Sequence, residues 1–288
     1  MSRKVVLYLS IANFIYDDIP LNTFEGGKYV IASFSTETTA SEGTRNLNQI
    51  SLFMGKERPF GYLTYDTTLT FTMSIIKNPC TNDNIIMGAD EIERLKRWLC
   101  RPAPHKLKLI DSASIENNWD EYFNQFNQYE NIYWEGSFNI TEEIIGGKRI
   151  GVSLTFISTR PFALQEDVVF SGAVAAGQSV IIEDDSNEIG YLYPDITIKC
   201  LESGELSIHN DFEDKYTVVE NCAINEIITF SKYLQISSNN SSHNIYDYFN
   251  YEFLRIGNNF YSNENILTFS MSCEFEIRYN PIRKVLPV

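Results

Sequence analysis

The residues with the most chemistry to offer are three histidines, five cysteines and one acidic run. His105, His209 and His243 lie far apart, and none stands at ligand spacing from another or from a cysteine. A zinc ion gathers three or four Cys, His or carboxylate ligands, usually with two of them a few residues apart, so this spacing argues against a metal site. Cys80, Cys100, Cys200, Cys222 and Cys273 contain no C-x-x-C pair, and their number is odd. In a chain this long such thiols read as buried free cysteines, which fits synthesis in a reducing compartment. A nucleophilic Cys/His pair must sit within hydrogen-bond reach, and nothing in the sequence draws these residues together. Glu183-Asp184-Asp185 lacks the alternating oxygen ligands and glycine turn of a calcium loop. It also lacks the fixed separation that glycoside hydrolysis needs between two carboxyls, so it reads as a solvated loop. The motifs G-x-S-x-G, H-E-x-x-H, G-x-x-x-x-G-K-S/T and G-x-G-x-x-G are absent. The sequence therefore nominates no catalytic, cofactor-binding or metal residue, and no cofactor.

Binding chemistry has more candidates. Tyr246, Tyr248, Phe249, Tyr251 and Phe253 offer rings that stack on a sugar or a base, but the pattern is also that of a strand with large cross-strand partners. The second reading is the one expected, with exposed tyrosines on its outer face suited to a protein interface. Arg94, Lys96 and Arg97 face either a partner subunit or solvent, and a solvated helix face is expected. With 23 Lys+Arg against 38 Asp+Glu, the chain carries a formal charge of −15. That balance, with no basic run, argues against partners held by phosphate contacts and disfavours anionic membrane surfaces. No stretch approaches the ~18–20 consecutive apolar residues of a membrane span. Arg3-Lys4 followed by Val5–Leu9 has the outline of a leader, but the apolar run fades without a cleavage site and reads as a first β-strand. The sequons at Asn139, Asn239 and Asn240 are then chance matches.

The elements that must position these residues are mostly strands. Leu69, Phe71, Met73 and Ile75 alternate with Thr and Ser; so do Ile150, Val152, Leu154 and Phe156 with Gly, Ser and Thr. The longest run is Leu267, Phe269, Met271, Cys273, Phe275, Ile277 and Tyr279. Strict alternation puts one row on a core and one in water, the mark of antiparallel sheets with a solvated face. Gly146-Gly147 predicts a turn before a strand at Lys148–Ile157, and Glu202-Ser203-Gly204 predicts a hairpin between Ile196–Cys200 and Glu205–Ile208. One helix is predicted over Ala89–Cys100. Ile92, Leu95, Trp98 and Leu99 form its apolar face, acids stand at its start and bases at its end, and Pro102 and Pro104 stop it. Trp119–Tyr129 has helical spacing amid Asn and Gln and is left open.

At 288 residues, 43% hydrophobic and 14% aromatic, the chain suits one or two packed domains. A composition shift between Pro161 and Tyr193 sets the expected boundary near residue 163. The first domain, 1–163, is then strands plus one helix, and the second, 164–288, nearly all strand. No internal repeat is visible.

Several stretches in fixed order resemble the distal tail proteins of long non-contractile-tailed bacteriophages. They are Thr68–Lys77, the helix Glu91–Leu99, His105–Asp111, Tyr133–Phe138, Gly147–Phe156 and Thr159–Ala163. In the second half, Tyr193–Ile198 with Gly204–Asn210 resembles the family's opening hairpin, and Asn265–Phe269 with Phe275–Arg283 its closing strands. The resemblance covers most of 60–163 and both ends of 190–288. It is poorer over 1–55 and 112–131, so what distinguishes this protein is expected there or in 211–262.

The resemblance implies a mainly β protein without enzymatic activity. Its N-terminal domain would be a β-sandwich-like unit with one helix that closes into a hexameric ring. Its C-terminal domain would be a galectin-like jelly-roll β-sandwich on the periphery. The implied role is a structural virion protein at the tail tip, made in the host bacterial cytoplasm. It would join the tail tube protein to the tail-tip and receptor-binding proteins, with DNA passing through its channel unbound. The alternative is a carbohydrate-binding module that contacts the host cell wall through the C-terminal domain. Trp98, Trp119 and Trp134 all lie in the first half, so the second domain lacks the indole platform that sugar binding often uses.

Overall fold

Two compact units divide the chain, Met1–Ala163 with Lys284–Val288, and Leu164–Arg283. The computed structural model describes residues 11–34, 45–50, 60–65, 68–111 and 131–284. The expected first strand at Val5–Leu9 and the open segment Trp119–Tyr129 lie outside these residues.

The first unit contains β1 (Ile11–Tyr16), β2 (Ile19–Pro20), β3 (Tyr29–Phe34), β4 (Arg45–Ile50), β5 (Phe60–Tyr65), β6 (Thr70–Lys77), α1 (Ala89–Leu99), β7 (His105–Asp111), β8 (Ile132–Ile145) and β9 (Lys148–Ser158). Seven of these strands run in the order β2-β1-β7-β8-β9-β6-β3 along a nine-stranded sheet, and β4 pairs with β5. Along that order every junction is antiparallel. Register places Phe71 opposite Phe156, Met73 opposite Leu154 and Ile75 opposite Val152, so the two alternating runs present their apolar rows to one face. Those residues, the α1 face Ile92–Leu95–Trp98–Leu99, and Phe14, Tyr16, Trp134 and Phe138 make one buried core.

Helix α1 begins where the Gly88 amide donates to Glu91 Oε2 at 2.7 Å. Glu91 is buried between two lysines, with Lys77 Nζ at 2.8 Å and Lys28 paired to its other oxygen. Burial alone would push the Glu91 carboxyl up, but hydrogen bonds from Lys28, Lys77 and the Gly88 amide outweigh it and hold it at about 2. Trp98 stacks on Phe24 with centroids 4.2 Å apart, and its Nε1 donates to Tyr16 O at 3.3 Å.

Strand β10 (Ala163–Gln165) begins on the last residue of Met1–Ala163. The second unit then contains β11 (Val168–Val174), β12 (Ser179–Glu183), β13 (Gly190–Leu192), β14 (Asp195–Cys200), β15 (Gly204–Asn210), β16 (Lys215–Cys222), β17 (Ile227–Ser231), β18 (Gln235–Ser238), β19 (Ile256–Asn258), β20 (Glu264–Phe269), β21 (Cys273–Tyr279) and β22 (Ile282–Arg283). A five-stranded sheet, β11-β21-β14-β17-β18, and a four-stranded sheet, β12-β20-β15-β16, enclose one core, with β13 pairing β19 separately. Ile196, Ile198, Phe230 and Ile277 come to that core from the first sheet, and Leu206, Ile208, Leu267 and Phe269 from the second. This is a β-sandwich, and the fold of the whole chain is mainly β, with one α-helix among the described residues.

Two expectations about strands are corrected. The run Leu267–Tyr279 is buried at every second residue, but it is two strands: β20 lies in one sheet and β21 in the other. The chain turns the corner at Ser270–Ser272 without losing its alternation, because both sheets face the same core. Likewise Ile196–Cys200 and Glu205–Ile208 do not form a hairpin. β14 pairs with β17 and β21, and β15 with β16 and β20. The turn ending at Gly204 carries the chain from sheet to sheet.

Candidate functional site

Of the helix charges singled out in the sequence, Arg94 and Lys96 are engaged within the chain, and Arg97 is exposed. Arg94 pairs with Glu25 and, at 3.0 Å, with Asp90, and Lys96 Nζ lies 3.2 Å from Glu142. They serve α1 and its neighbours rather than an open basic face. His105 Nδ1 lies 3.0 Å from Asp17, whose other oxygen takes Arg101 at 2.7 Å. The Arg101 guanidinium holds the Asp17 carboxyl below its ordinary value, with His105 adding to it.

In the second unit His209 is flanked by Asp211 and Asp214, at 2.9 and 3.0 Å, and stacks on Tyr216 at 4.2 Å. His243 Nδ1 lies 2.6 Å from the buried Glu226. Burial pushes the Glu226 carboxyl up, but hydrogen bonds from Ser238, the Ala223 amide and His243 outweigh it, leaving the carboxyl below its ordinary value. His209 is engaged at both ring nitrogens, whereas the buried His243 Nε2 has no hydrogen-bond partner among the described residues. Among the described residues no group of three or more His, Cys, Asp and Glu is placed to hold a metal ion, and no helix is long and apolar enough to cross a membrane.

The cysteines divide. Cys200, Cys222 and Cys273 are buried, but Cys80 and Cys100 are exposed, so the reading of all five as buried is corrected. Cys80 follows β6 and Cys100 follows α1. A hydrogen bond with Cys222 and burial push the Cys200 thiol up, and burial pushes Cys273 up to about 11. Thiols held protonated are poor nucleophiles.

The acidic run is also corrected. Glu183 and Asp185 are exposed, but Asp184 between them is only 2% exposed. Its Oδ1 accepts from the Ser186 amide at 3.0 Å and hydroxyl at 2.7 Å, and its Oδ2 from Asn258 Nδ2 at 2.7 Å. The alternation of β12 turns Asp184 inward, and Asn258 on β19 meets it. Beside it runs a groove of about 400 Å³ between residues 184–189 and the Asn258–Asn263 turn.

The aromatic cluster is not a strand. Ile245–Asp247 is a 3-10 turn, and the chain after it is irregular. Phe249 is buried and bridges to Val219, whereas Tyr246, Tyr248 and Tyr251 are exposed. The Asn250 side chain accepts from the Val218 amide and donates to Tyr216 O, which replaces regular pairing by side-chain capping. Tyr246 rims a groove of about 650 Å³ on the five-stranded sheet, where Glu276, Thr197, Thr229 and Ser237 fall in one cross-strand row.

Motif reasoning missed the sheet edges. β11 and β12 are terminal strands, each paired on one side among the described residues. From Val168 to Ile182 the sequence runs fifteen residues with no charge and no proline, and Val169 and Ile181 are exposed. Edge strands are normally guarded by charge or proline because their free N–H and C=O groups invite pairing. The gap in charge was visible in the sequence; that it falls on two edges was not.

Residues 9–160 match a family described as the phage tail protein N-terminal domain, and residues 162–279 one described as the phage tail C-terminal domain. No curated protein sequence is significantly similar to the chain. The crystal structure of the Dit protein of SPP1, described as a paradigm of the hub adsorption apparatus in phages infecting Gram-positive bacteria, is similar with a TM-score of 0.62. The likeness covers 94% of this chain and 99% of that chain at 11% identity, and is one of fold.

Proposed function

This chain belongs to the phage tail protein family, carrying its N-terminal and C-terminal domains in order, and from that premise we propose that it is the distal tail hub. In this reading residues 1–163 close into a hexameric ring, and residues 164–288 form a galectin-like jelly roll on the periphery. The ring joins the tail tube to the tail-tip and receptor-binding proteins of the virion, after synthesis in the bacterial cytoplasm. Its work is mechanical and catalyses nothing. The observation that carries this is the pairing of both tail domains with a fold shared, over 94% of the chain, with a hub protein.

The surfaces agree with an assembling protein. Identical subunits close a ring by repeating one heterologous interface, and unguarded edges such as β11 and β12 are surfaces for a neighbour to cover. The charge of −15 per chain suits a channel that DNA traverses, since few counterions are released where no basic surface meets phosphate. Negative-stain imaging of the purified full-length chain and of tails carrying it, with mass in solution, tests the reading. A closed sixfold ring at the tail tip is expected. A filament, an unrelated oligomer, or lumen-facing rings of Lys and Arg would count against it.

One observation favours the second reading, carbohydrate contact with the host wall. The row of hydroxyl and carboxylate groups under Tyr246 offers the donors, acceptors and ring face that sugars engage. Glycan-array binding by the intact chain, lost on Tyr246→Ala, would favour it; silence on the array beside intact rings favours the hub alone.

A further inference from the structure

The groove beside Asp184 combines three features that solvated loops lack. First, Asp184 is buried, yet its hydrogen-bond donors are all neutral and no cation of the described residues pairs with it. A buried carboxylate is costly unless a counter-charge offsets it, and the exposed Asp185 adds a second negative charge at the same mouth. Second, Phe260 and Tyr261 are 83% and 92% exposed, with rings edge-to-face at 5.4 Å. Ile189 stands exposed on the other wall. Third, this tip is built rather than loose. Asn259 Oδ1 accepts from the Tyr261 and Ser262 amides at 2.8 and 2.9 Å, and its own amide donates to Ser262 O. Asn258 ties the base of the turn to Asp184, Ser186 and Gly190. A rigid aromatic pair loses little entropy on binding and has the character of an interface anchor.

We propose that this groove is a docking site for a segment of another tail protein that presents an arginine or lysine between apolar residues. Charge complementarity selects the occupant. The cationic head faces Asp184 and Asp185, its aliphatic stem lies along Ile189, and the Phe260 ring takes the cation over its face. The flanking apolar residues cover Tyr261. The proposal rests on the tail-protein reading for where the partner is found, but not on the ring.

Photo-crosslinking from position 261 in assembled tails tests it, with the crosslinked peptide mapped by mass spectrometry. The expected product is a peptide of a different tail protein with Lys or Arg within a few residues of the crosslink. Phe260→Ala and Asp185→Asn, both exposed, are expected to lower its yield roughly tenfold while leaving the unfolding midpoint unchanged. Asp184→Asn is expected to lower the yield as well, but its new amide faces donors of Ser186 or Asn258, so Asp185→Asn stands in if that variant folds poorly. A crosslink to a second copy of this chain, to a segment without a basic residue, or to nothing would overturn the proposal. So would a full yield from the Asp184→Asn, Asp185→Asn double variant. Calcium chloride added to the purified chain is expected to leave its melting temperature unchanged; a rise abolished by Asp184→Asn would make the occupant a metal ion and overturn it. Imaging of the same tails reports the ring separately, so failure of the hub leaves the crosslink result standing.

Discussion

Two buried acids show how a carboxylate's surroundings decide its role. Glu91 is enclosed by Lys28 and Lys77 and anchors α1 to the sheet, whereas Asp184 has neutral partners and faces a groove. The consequence for Glu91 is a pH dependence. Its folded value of about 2 lies below the ordinary 4.5, so its contribution is present above pH 4.5 and is lost as pH falls toward 2. The unfolding midpoint of the first unit, followed by tryptophan fluorescence, is expected to drop over that window, with a shallower slope in Glu91→Gln. That variant leaves Lys77 buried without its charge partner and is expected to cost about 3 kcal/mol, measured by urea unfolding at pH 7. The thiols give a second check. A thiol-reactive dye should label Cys80 and Cys100 in the native protein, and Cys200, Cys222 and Cys273 only after unfolding, because the latter three are buried.

At the scale of elements, turn chemistry and close packing set the long β8–β9 pair. Ile145 lies opposite Lys148, and Gly146 and Gly147 between them take φ of 58° and 75°. Side chains with a Cβ adopt that region at a cost of about 1–2 kcal/mol each, so Gly147→Val should lower the unfolding free energy measured in urea by that amount. Gly136, within β8, is constrained for another reason. A Cβ there would meet Ile157 O at 2.2 Å and the Phe156 ring at 2.6 Å, both held by the sheet. Gly136→Ala is therefore expected to destabilise the first unit by roughly 1–3 kcal/mol, again by urea unfolding. The Tyr16 hydroxyl, which donates to Gly136 O at 3.2 Å, would be displaced with it.

For the whole molecule the decisive property is what its surfaces meet. The chain carries a net charge of −15, but Val168–Ile182 carries none and, among the described residues, supplies two strands paired on one side only. Association through such edges gains backbone hydrogen bonds without opposing like charges. Val169→Lys on β11 places a charge on that edge at an exposed position. It is expected to reduce incorporation into tails while changing fold stability by less than about 0.5 kcal/mol, read by quantitative blotting of purified virions beside a thermal melt. Unchanged incorporation would show that assembly leaves this edge open.

Much of this protein is legible from local pattern. Alternation at Leu69–Ile75 and Val152–Phe156 determined which side chains enter the core, and the caps and apolar face of Ala89–Leu99 determined the helix, because both are written in neighbouring residues. The ordered motifs carried the family for the same reason: each is a short element whose pattern survives on its own. Tertiary structure alone decided which strand lies beside which. The glycine turn at Gly204 and the run Leu267–Tyr279 satisfy a hairpin or a corner equally well, since either keeps the apolar row on one core. It also decided that Asp184 is buried, that Tyr246–Tyr251 is capped by Asn250 rather than paired as a strand, and that the uncharged stretch falls on edges. Those outcomes depend on partners such as Asn258 and β21, more than seventy residues away in the chain, and pairing across such distances is set by the packing of the whole unit, not by the spacing of nearby residues.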